Sequence, residues 1–201
     1  MLCGSNTKLP KDAFLSKPSP IVAQIVATDE NGLIGIGDKL PWGRVKEDME
    51  FFKSKTLNHV VIMGFNTIHS LPRKLPQRHV IGLLSPNRNI KDVDLTKFYS
   101  IADQAMLSVD GYIGDVEFPK DCLTDIIYIA GGGKIYETSL LETNVVFRNV
   151  IVKDKSIYPE EGGEVYYPLE QLKQNFTLVN WEEVSLVDGG YMQKEIWVKT
   201  K

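Results

Sequence analysis

Asp48 lies on the apolar side of an amphipathic segment, and that placement is the first sign of chemistry in this chain. The run Leu40-Pro41-Trp42-Gly43-Arg44-Val45-Lys46-Glu47-Asp48-Met49-Glu50-Phe51-Phe52-Lys53 reads as a turn followed by a helix. At 3.6 residues per turn, Val45, Met49 and Phe52 share one face, while Glu47 and Glu50 fall on the opposite, solvated side. Asp48 sits within about 60° of Val45, inside the apolar arc. A carboxylate there is expensive to bury unless something pairs with it, and a ligand is one such partner. The plain alternative is an aspartate at the edge of the stripe, reaching water. A second sign is a pair of glycine junctions, Gly64-Phe65-Asn66-Thr67 and Gly131-Gly132-Gly133-Lys134, each following an apolar run. Helix N-termini offer free N–H groups to phosphates, and glycine lets a ligand approach the backbone. Two such sites on one sheet would suit a dinucleotide. The triple glycine is not G-x-G-x-x-G, however, and a tight strand-to-helix turn without a ligand is at least as common. His59, His69 and His79 are scattered, and Cys3 and Cys122 match no metal or redox spacing, so no metal is expected.

The elements that must position these residues alternate as in an α/β domain. Ile21–Ala27, His59–Gly64, His79–Leu84, Asp125–Ala130 and Asn144–Val152 are short apolar runs of the kind buried on both faces of a sheet. Helices are expected over Val45–Lys55, over Thr67–Leu71 before Pro72, and from the triple glycine to about Leu141. Asp29–Gly32 and Gly35–Asp38 read as turns and a flexible loop. Periodicity weakens between Ser85 and Leu123, where loops at Asn87–Asn89, Asp110-Gly111 and Phe118-Pro119 surround a helix near Ile101–Ser108. Phe176–Leu186 and Tyr191–Lys199 alternate like an antiparallel pair joined at Asp188-Gly189-Gly190.

Composition bounds the function. The 201 residues, with 43% hydrophobic and 24% charged, suit one ordinary globular domain. A net charge of −3 and a pI near 5.7 speak against nucleic acid as the main partner. No apolar run reaches the ~20 residues of a membrane span, and the first twenty residues lack the apolar core of a secretory signal. Residues 1–20 are expected to be a loose extension and 21–201 the domain, in a reducing cytoplasm.

Together the pieces resemble dihydrofolate reductase over about Ile21 to Thr200. The resemblance rests on Leu33-Ile34-Gly35, Leu40-Pro41-Trp42, the Asp48–Lys53 helix with Thr56, Val61–Gly64, Leu75-Pro76-Gln77-Arg78 and Ala130–Tyr136, in the family's order and spacing. The wording Pro41–Lys46 is similar to that of the enzymes of T4-type bacteriophages, which would make the compartment a host cytoplasm. The resemblance implies a single-domain dihydrofolate reductase-like α/β fold: a central, mostly parallel twisted sheet flanked by helices, with an antiparallel C-terminal strand pair. It implies reduction of dihydrofolate by NADPH, with hydride to C6 and a proton to N5, in the service of one-carbon metabolism and nucleotide synthesis.

It also implies roles. Asp48 matches the single acidic residue of the site, and Trp42 the tryptophan that closes over it; these are the candidate catalytic pair. Ile25, Val26, Ala27, Met49, Phe52, Leu71, Leu75 and Ala130 would line the pterin and benzoyl rings, and Arg78 would grip the α-carboxylate. Asn149 stands where a threonine usually backs the carboxylate. For the cofactor, Ala27, Ile34, Gly35, Lys39 and Leu40 match one wall, with Gly35–Leu40 as the mobile loop. Gly64, Phe65, Asn66, Thr67, Ser70, Leu84 and Ser85 match the next, and Ala130, Gly131, Gly132, Gly133, Lys134, Ile135 and Tyr136 the third, with a cis peptide at Gly131-Gly132. Phe65 and Asn66 depart from the basic residues of many relatives, leaving Lys134, Arg88 and Ser85 as the groups to favour NADPH over NADH. Without the resemblance, Phe52, Met49 and Leu75 read as core, Trp42 as packing, and Arg78 as part of a solvated basic turn. Two rivals are a reductase of the same fold acting on a phosphorylated ribosyl-pyrimidine, and a reductase-like chain serving in binding or assembly. The oligomeric state is left open.

Overall fold

The structure is a computed structural model that describes residues 20–84, 100–103 and 123–200. The expected extension (apart from Pro20), both cysteines, Ser85, Arg88 and most of the Ser85–Leu123 segment lie outside the described residues.

Strand β1 (Ile21–Thr28) runs up the middle of an eight-stranded sheet. It pairs in parallel with β6 (Leu123–Ile129) on one side and β7 (Val145–Val152) on the other. Beyond β6 come β3 (His59–Gly64), β4 (His79–Leu84) and β5 (Ser100–Asp103), all parallel. Beyond β7 the direction reverses: β10 (Tyr191–Lys199) and the edge strand β9 (Phe176–Ser185) are antiparallel. The mostly parallel sheet with its antiparallel C-terminal pair is the architecture expected from the sequence. The helix expected near Ile101–Ser108 is not seen where the chain is described: residues 100–103 form β5, paired with Ile81–Leu84. Its four residues take their form from that pairing, which overrides a local helical pattern.

Both faces of the parallel part of the sheet are covered, so its strands are largely apolar, whereas the edge strand β9 is mostly exposed. On one face, Val60, Ile62, Ile127 and Ile129 bury against α3 (Gly133–Ser139) and α4 (Leu169–Asn175) through Ile135, Leu140 and Leu172. On the other, Val61, Met63, Tyr128 and Ile25 meet α1 (Lys46–Thr56) and α2 (Phe65–Ser70) through Phe51, Phe52 and Ile68. A third cluster of Trp42, Val45, Ile151, Leu186 and Met192 roots the start of α1 against β7 and β10.

Polar residues interrupt the apolar runs at a few buried positions, and two of them, Gln24 and Arg148, make several hydrogen bonds each. Gln24 donates to Tyr136 O (3.0 Å) and Ser139 Oγ (2.9 Å) and accepts from the Tyr167 hydroxyl, tying α3 to the sheet. Arg148 donates to Thr28 Oγ1 (3.0 Å), Asp29 O (3.2 Å) and Glu195 Oε2 (3.0 Å), and Trp197 Nε1 donates to that same oxygen (2.8 Å). A buried ion pair repays its desolvation only when such extra hydrogen bonds are present.

A second, two-stranded sheet joins β2 (Leu33–Ile36) to β8 (Glu164–Tyr166). The sequence shows only turns and a loop here. Leu33–Ile36 become a strand because β8 supplies the partner, and Ile36 and Lys39 exchange backbone hydrogen bonds across the tight turn that follows.

Candidate active site

A cleft opens where β1 and β6 end, the place at which open α/β sheets present ligand sites. Its walls come from every layer: Ile25, Val26 and Ala27 of β1, Ile34 of β2, Leu40 from the loop before α1, Asp48 and Phe52 of α1, Thr67 of α2, and Ala130, Gly131, Gly132 and Tyr136 around the start of α3.

Asp48 is the only carboxylate among the lining residues. Asn149, buried on β7, donates from Nδ2 to Asp48 Oδ1 at 2.7 Å. Burial raises the Asp48 pKa above its ordinary value, and the Asn149 hydrogen bond opposes that without cancelling it. A carboxyl so placed keeps its proton to higher pH than one in water. Tyr136, buried beside it, donates from its hydroxyl to Ile25 O at 2.7 Å. The Tyr136 pKa is driven well up by burial and by the neighbouring Tyr167 and Asp48, so this phenol remains a neutral donor.

The two glycine junctions meet behind the cleft. Gly64 N donates to Gly131 O at 2.6 Å, and the Gly131-Gly132 peptide is cis. Gly131 has φ +105, and a Cβ at Gly132 would stand 3.1 Å from Thr67 Oγ1. At Gly133 a Cβ would meet Val165 Cγ1 at 2.6 Å, and at Gly64 it would stand 3.0 Å from Ile135 Cγ1. Side chains at these positions would fill the space between α2, α3 and β8. Neither Gly64 nor Gly132 brings a side-chain cap to the helix that it starts.

The other expected site residues are not among the lining of this cleft. Leu71 and Leu75 pack on the apolar cluster that holds Phe52. Arg78 is buried at the mouth of β4, with Nε and Nη1 enclosed and without an acceptor among the described residues, and burial lowers its pKa. Trp42 is 1% exposed and packs against Val45, Ile151, Leu186 and Met192 beside α1. Gly35 lies in β2, Lys39 is exposed in the following turn, and Phe65 packs partly buried beside Ile68. Asn66 and Ser70 are exposed, the Ser70 hydroxyl donating to Thr67 O. Ile135 is core, and Lys134 is exposed and paired with Glu137 at 3.0 Å. Leu84 ends β4, its side chain outside the described residues.

Two expectations on α1 are corrected. Met49 is 44% exposed and does not line the cleft. Asp48, Phe52 and Thr56 run down the inward side of the helix, and Met49 stands about 60° round from Phe52 at 100° per residue, on the rim of that face. Glu47, expected on the solvated side, is half-buried on the other flank, where Oε1 accepts from Val187 N at 3.0 Å. Nothing in the sequence signals this contact, because the donor is a main-chain group from a distant turn.

Comparison with known proteins agrees with this geometry. The dihydrofolate reductase family profile matches residues 21–186. Dihydrofolate reductase of Enterococcus faecium is 34% identical over 126 residues, covering 62% of this chain and 68% of that protein. Dihydrofolate reductase type 8 of Escherichia coli is 28% identical over 166 residues, 81% of this chain and 89% of that one. The solved structure of the Enterococcus faecalis enzyme, complexed with NADP(H) and RAB-propyl, superposes with a TM-score of 0.69 at 21% identity, over 91% of this chain and 98% of that chain. Fold and cleft define an α/β oxidoreductase that takes its ligands at the ends of the parallel strands. The chain belongs to the dihydrofolate reductase family.

Proposed function

We propose that this chain reduces 7,8-dihydrofolate to 5,6,7,8-tetrahydrofolate with NADPH. The observation that carries the reading is Asp48: the one carboxyl among the described lining residues of a mainly apolar cleft, hydrogen-bonded by Asn149 and raised in pKa by burial. The glycine cradle fits a dinucleotide, since Gly131 and Gly132 line the cleft and a Cβ at Gly132 would crowd Thr67. Bound there, the nicotinamide supplies the hydride for C6 of the substrate.

The protein's own groups do the rest. Asp48 holds the 2-amino group and ring nitrogen of the pterin and favours protonation of N5 through water, a step suited to a carboxyl with a raised pKa. Asn149 fixes the orientation of that carboxyl. Ile25, Ala27 and Phe52 clamp the flat ring and exclude bulk water, while Ala130 leaves room beside it. Arg78, a buried cation whose Nε and Nη1 have no acceptor, receives the α-carboxylate of the glutamate tail. Lys134, exposed on the first turn of α3, favours the 2′-phosphate of NADPH. The wording of Pro41–Lys46 supports a place beside the enzymes of T4-type bacteriophages, with a role in one-carbon and nucleotide metabolism. A spectrophotometric assay with dihydrofolate tests the reading: NADPH absorbance should fall in step with substrate consumption. A purified, folded chain that oxidises no NADPH in the presence of dihydrofolate would refute it.

A further inference from the structure

The helix that carries Asp48 begins without the usual support. Val45 occupies its N-cap position and makes no side-chain cap, and the local side-chain bond to the first turn is the weak one from Arg44 Nε to Met49 Sδ at 3.0 Å. Besides Asn149 and the packing of Trp42 and Val45, support comes from the far end of the chain. Glu47 Oε1 accepts the Val187 N–H at 3.0 Å, in the turn between β9 and β10. Leu186, 6% exposed in that same turn, packs in the cluster of Trp42 and Val45. The turn is itself held to the end of β7 by Lys153, whose Nζ lies 2.7 Å from Asp188 Oδ2. Glu47 Oε2 is enclosed without a partner among the described residues, so this carboxylate is committed to the contact at some expense.

We infer that Glu47 is a positioning residue for the reductase reaction: through the Val187 N–H it clasps the first turn of α1 to the C-terminal hairpin, and so sets how deeply the Asp48 carboxyl sits in the cleft. The adjacent residues leave helix α1 in different directions, Asp48 into the cleft and Glu47 onto the hairpin. A shift of the first turn therefore moves both. With the clasp released, the turn rides outward, water reaches Asp48, and the burial that holds its proton is relieved. The charged and titratable groups around this assembly include Tyr136 from α3, Tyr158 packed on the Trp42–Val45 cluster, the Lys153–Asp188 pair at the turn, the Lys194–Glu182 pair on β10 and β9, and Arg44 and the Lys46–Glu50 pair beside the first turn of α1. None of these bonds to Glu47.

The inference rests on Asp48 serving the reaction as proposed above, and the test separates the two. In the full chain, Glu47→Ala should lower kcat/KM for dihydrofolate by about 3–10-fold at pH 7, the range spanned by one net hydrogen bond. It should also move the midpoint of the pH–rate profile to lower pH. Glu47→Gln keeps an acceptor oxygen while removing the charge, and should restore both rate and midpoint. Val187→Pro deletes the donor N–H at a residue 85% exposed, and should reproduce Glu47→Ala; Val187→Ala keeps the N–H and should behave as wild type. In an Asp48→Asn background, Glu47→Ala should have almost no further effect. Equal losses from Glu47→Ala with and without Asp48, or a midpoint that stays in place, would reduce Glu47 to a structural residue and overturn the inference. If Asp48→Asn itself left the rate and pH profile intact, the reading of Asp48 would fail, and this one with it.

Discussion

Replacing Arg78 with leucine separates what the guanidinium does for a ligand from what it does to the fold. Arg78 is 6% exposed, its pKa is depressed by burial, and two of its nitrogens are enclosed without acceptors among the described residues. An incoming α-carboxylate meets donors that are already stripped of water. Charge-assisted hydrogen bonds are worth about 1.5–3 kcal/mol, so Arg78→Leu should raise KM for dihydrofolate by about 10–150-fold. The glutamate tail is remote from the reacting carbon, so ground and transition states lose alike and kcat should barely change. Turnover of a dihydropterin lacking the glutamate should be unaffected. The free protein should respond in the opposite sense. Unsatisfied buried donors cost about 1–3 kcal/mol, and leucine removes them. At about 2–4 °C per kcal/mol for a chain of this size, thermal unfolding of the ligand-free variant should move upward by several degrees. Steady-state kinetics with both substrates and a thermal melt are sufficient to check this. An unchanged dihydrofolate KM, equal damage to both substrates, or a lowered melting temperature would each refute the reasoning, the last by showing that Arg78 holds the fold.

Asp48→Asn should lower kcat/KM by about 10²-fold at pH 7, the usual scale of general acid–base help, with the defect shrinking in acid, where more substrate arrives protonated. Because burial raises the folded-state pKa of Asp48, the native protein binds more protons than the unfolded one between the two values, so stability falls as pH rises through that window. Asp48→Asn should remove this contribution, and its gain in melting temperature should be larger at pH 8 than at pH 4. Lys134→Gln should erode a preference for NADPH over NADH that one charge-assisted hydrogen bond sets at roughly 10–150-fold; equal wild-type kcat/KM values with the two cofactors would remove that assignment. Gly133→Ala should lower stability or cofactor affinity, because its Cβ would stand 2.6 Å from Val165 Cγ1 and 3.3 Å from Tyr166 O and so displace β8; a variant with wild-type melting temperature and KM for NADPH would show that β8 yields easily. Arg148→Met alone strands Glu195 and should destabilise by about 3–5 kcal/mol in chemical denaturation, with much of the loss recovered in Arg148→Met/Glu195→Leu.

Where the sequence is legible, one local cause dominates. Strands β1, β3, β4, β6 and β7 declare themselves as apolar runs because both faces of the sheet are covered. The hairpin of β9 and β10 shows in its alternation and in the glycines at its turn. Asp48 is visible because a carboxylate on an apolar arc needs a reason. What stays hidden depends on distant partners. Strands β2 and β8, four and three residues long, have no pattern of their own and exist by pairing with each other. A helical wheel gives directions around α1 but not what stands in each direction, so Met49 and Glu47 change places: one meets solvent, the other a turn 140 residues away. Arg148 does leave a trace, as a charge within the largely apolar run of β7, whereas Glu195 follows Gln193 and Lys194 and does not stand out. Only the register that sets Arg148 beside Glu195 turns that trace into a pair.

The position of β10 has a consequence for how the molecule comes into being on the ribosome. This strand is the last element described, yet it occupies an interior slot between β7 and β9, and Glu195 on it is the counterion of Arg148. A nascent chain that has emerged only as far as β9 exposes one edge of β7 and carries an arginine with no anion to meet it. The turn that leads into this strand carries the Val187 N–H that meets Glu47, so the first turn of α1 lacks that contact until then as well. Translation must therefore run past Lys199, with the exit tunnel cleared, before any catalytic competence is gained. Chains arrested earlier should be open, sticky and inactive, substrates for chaperones and proteases instead of partly working enzymes.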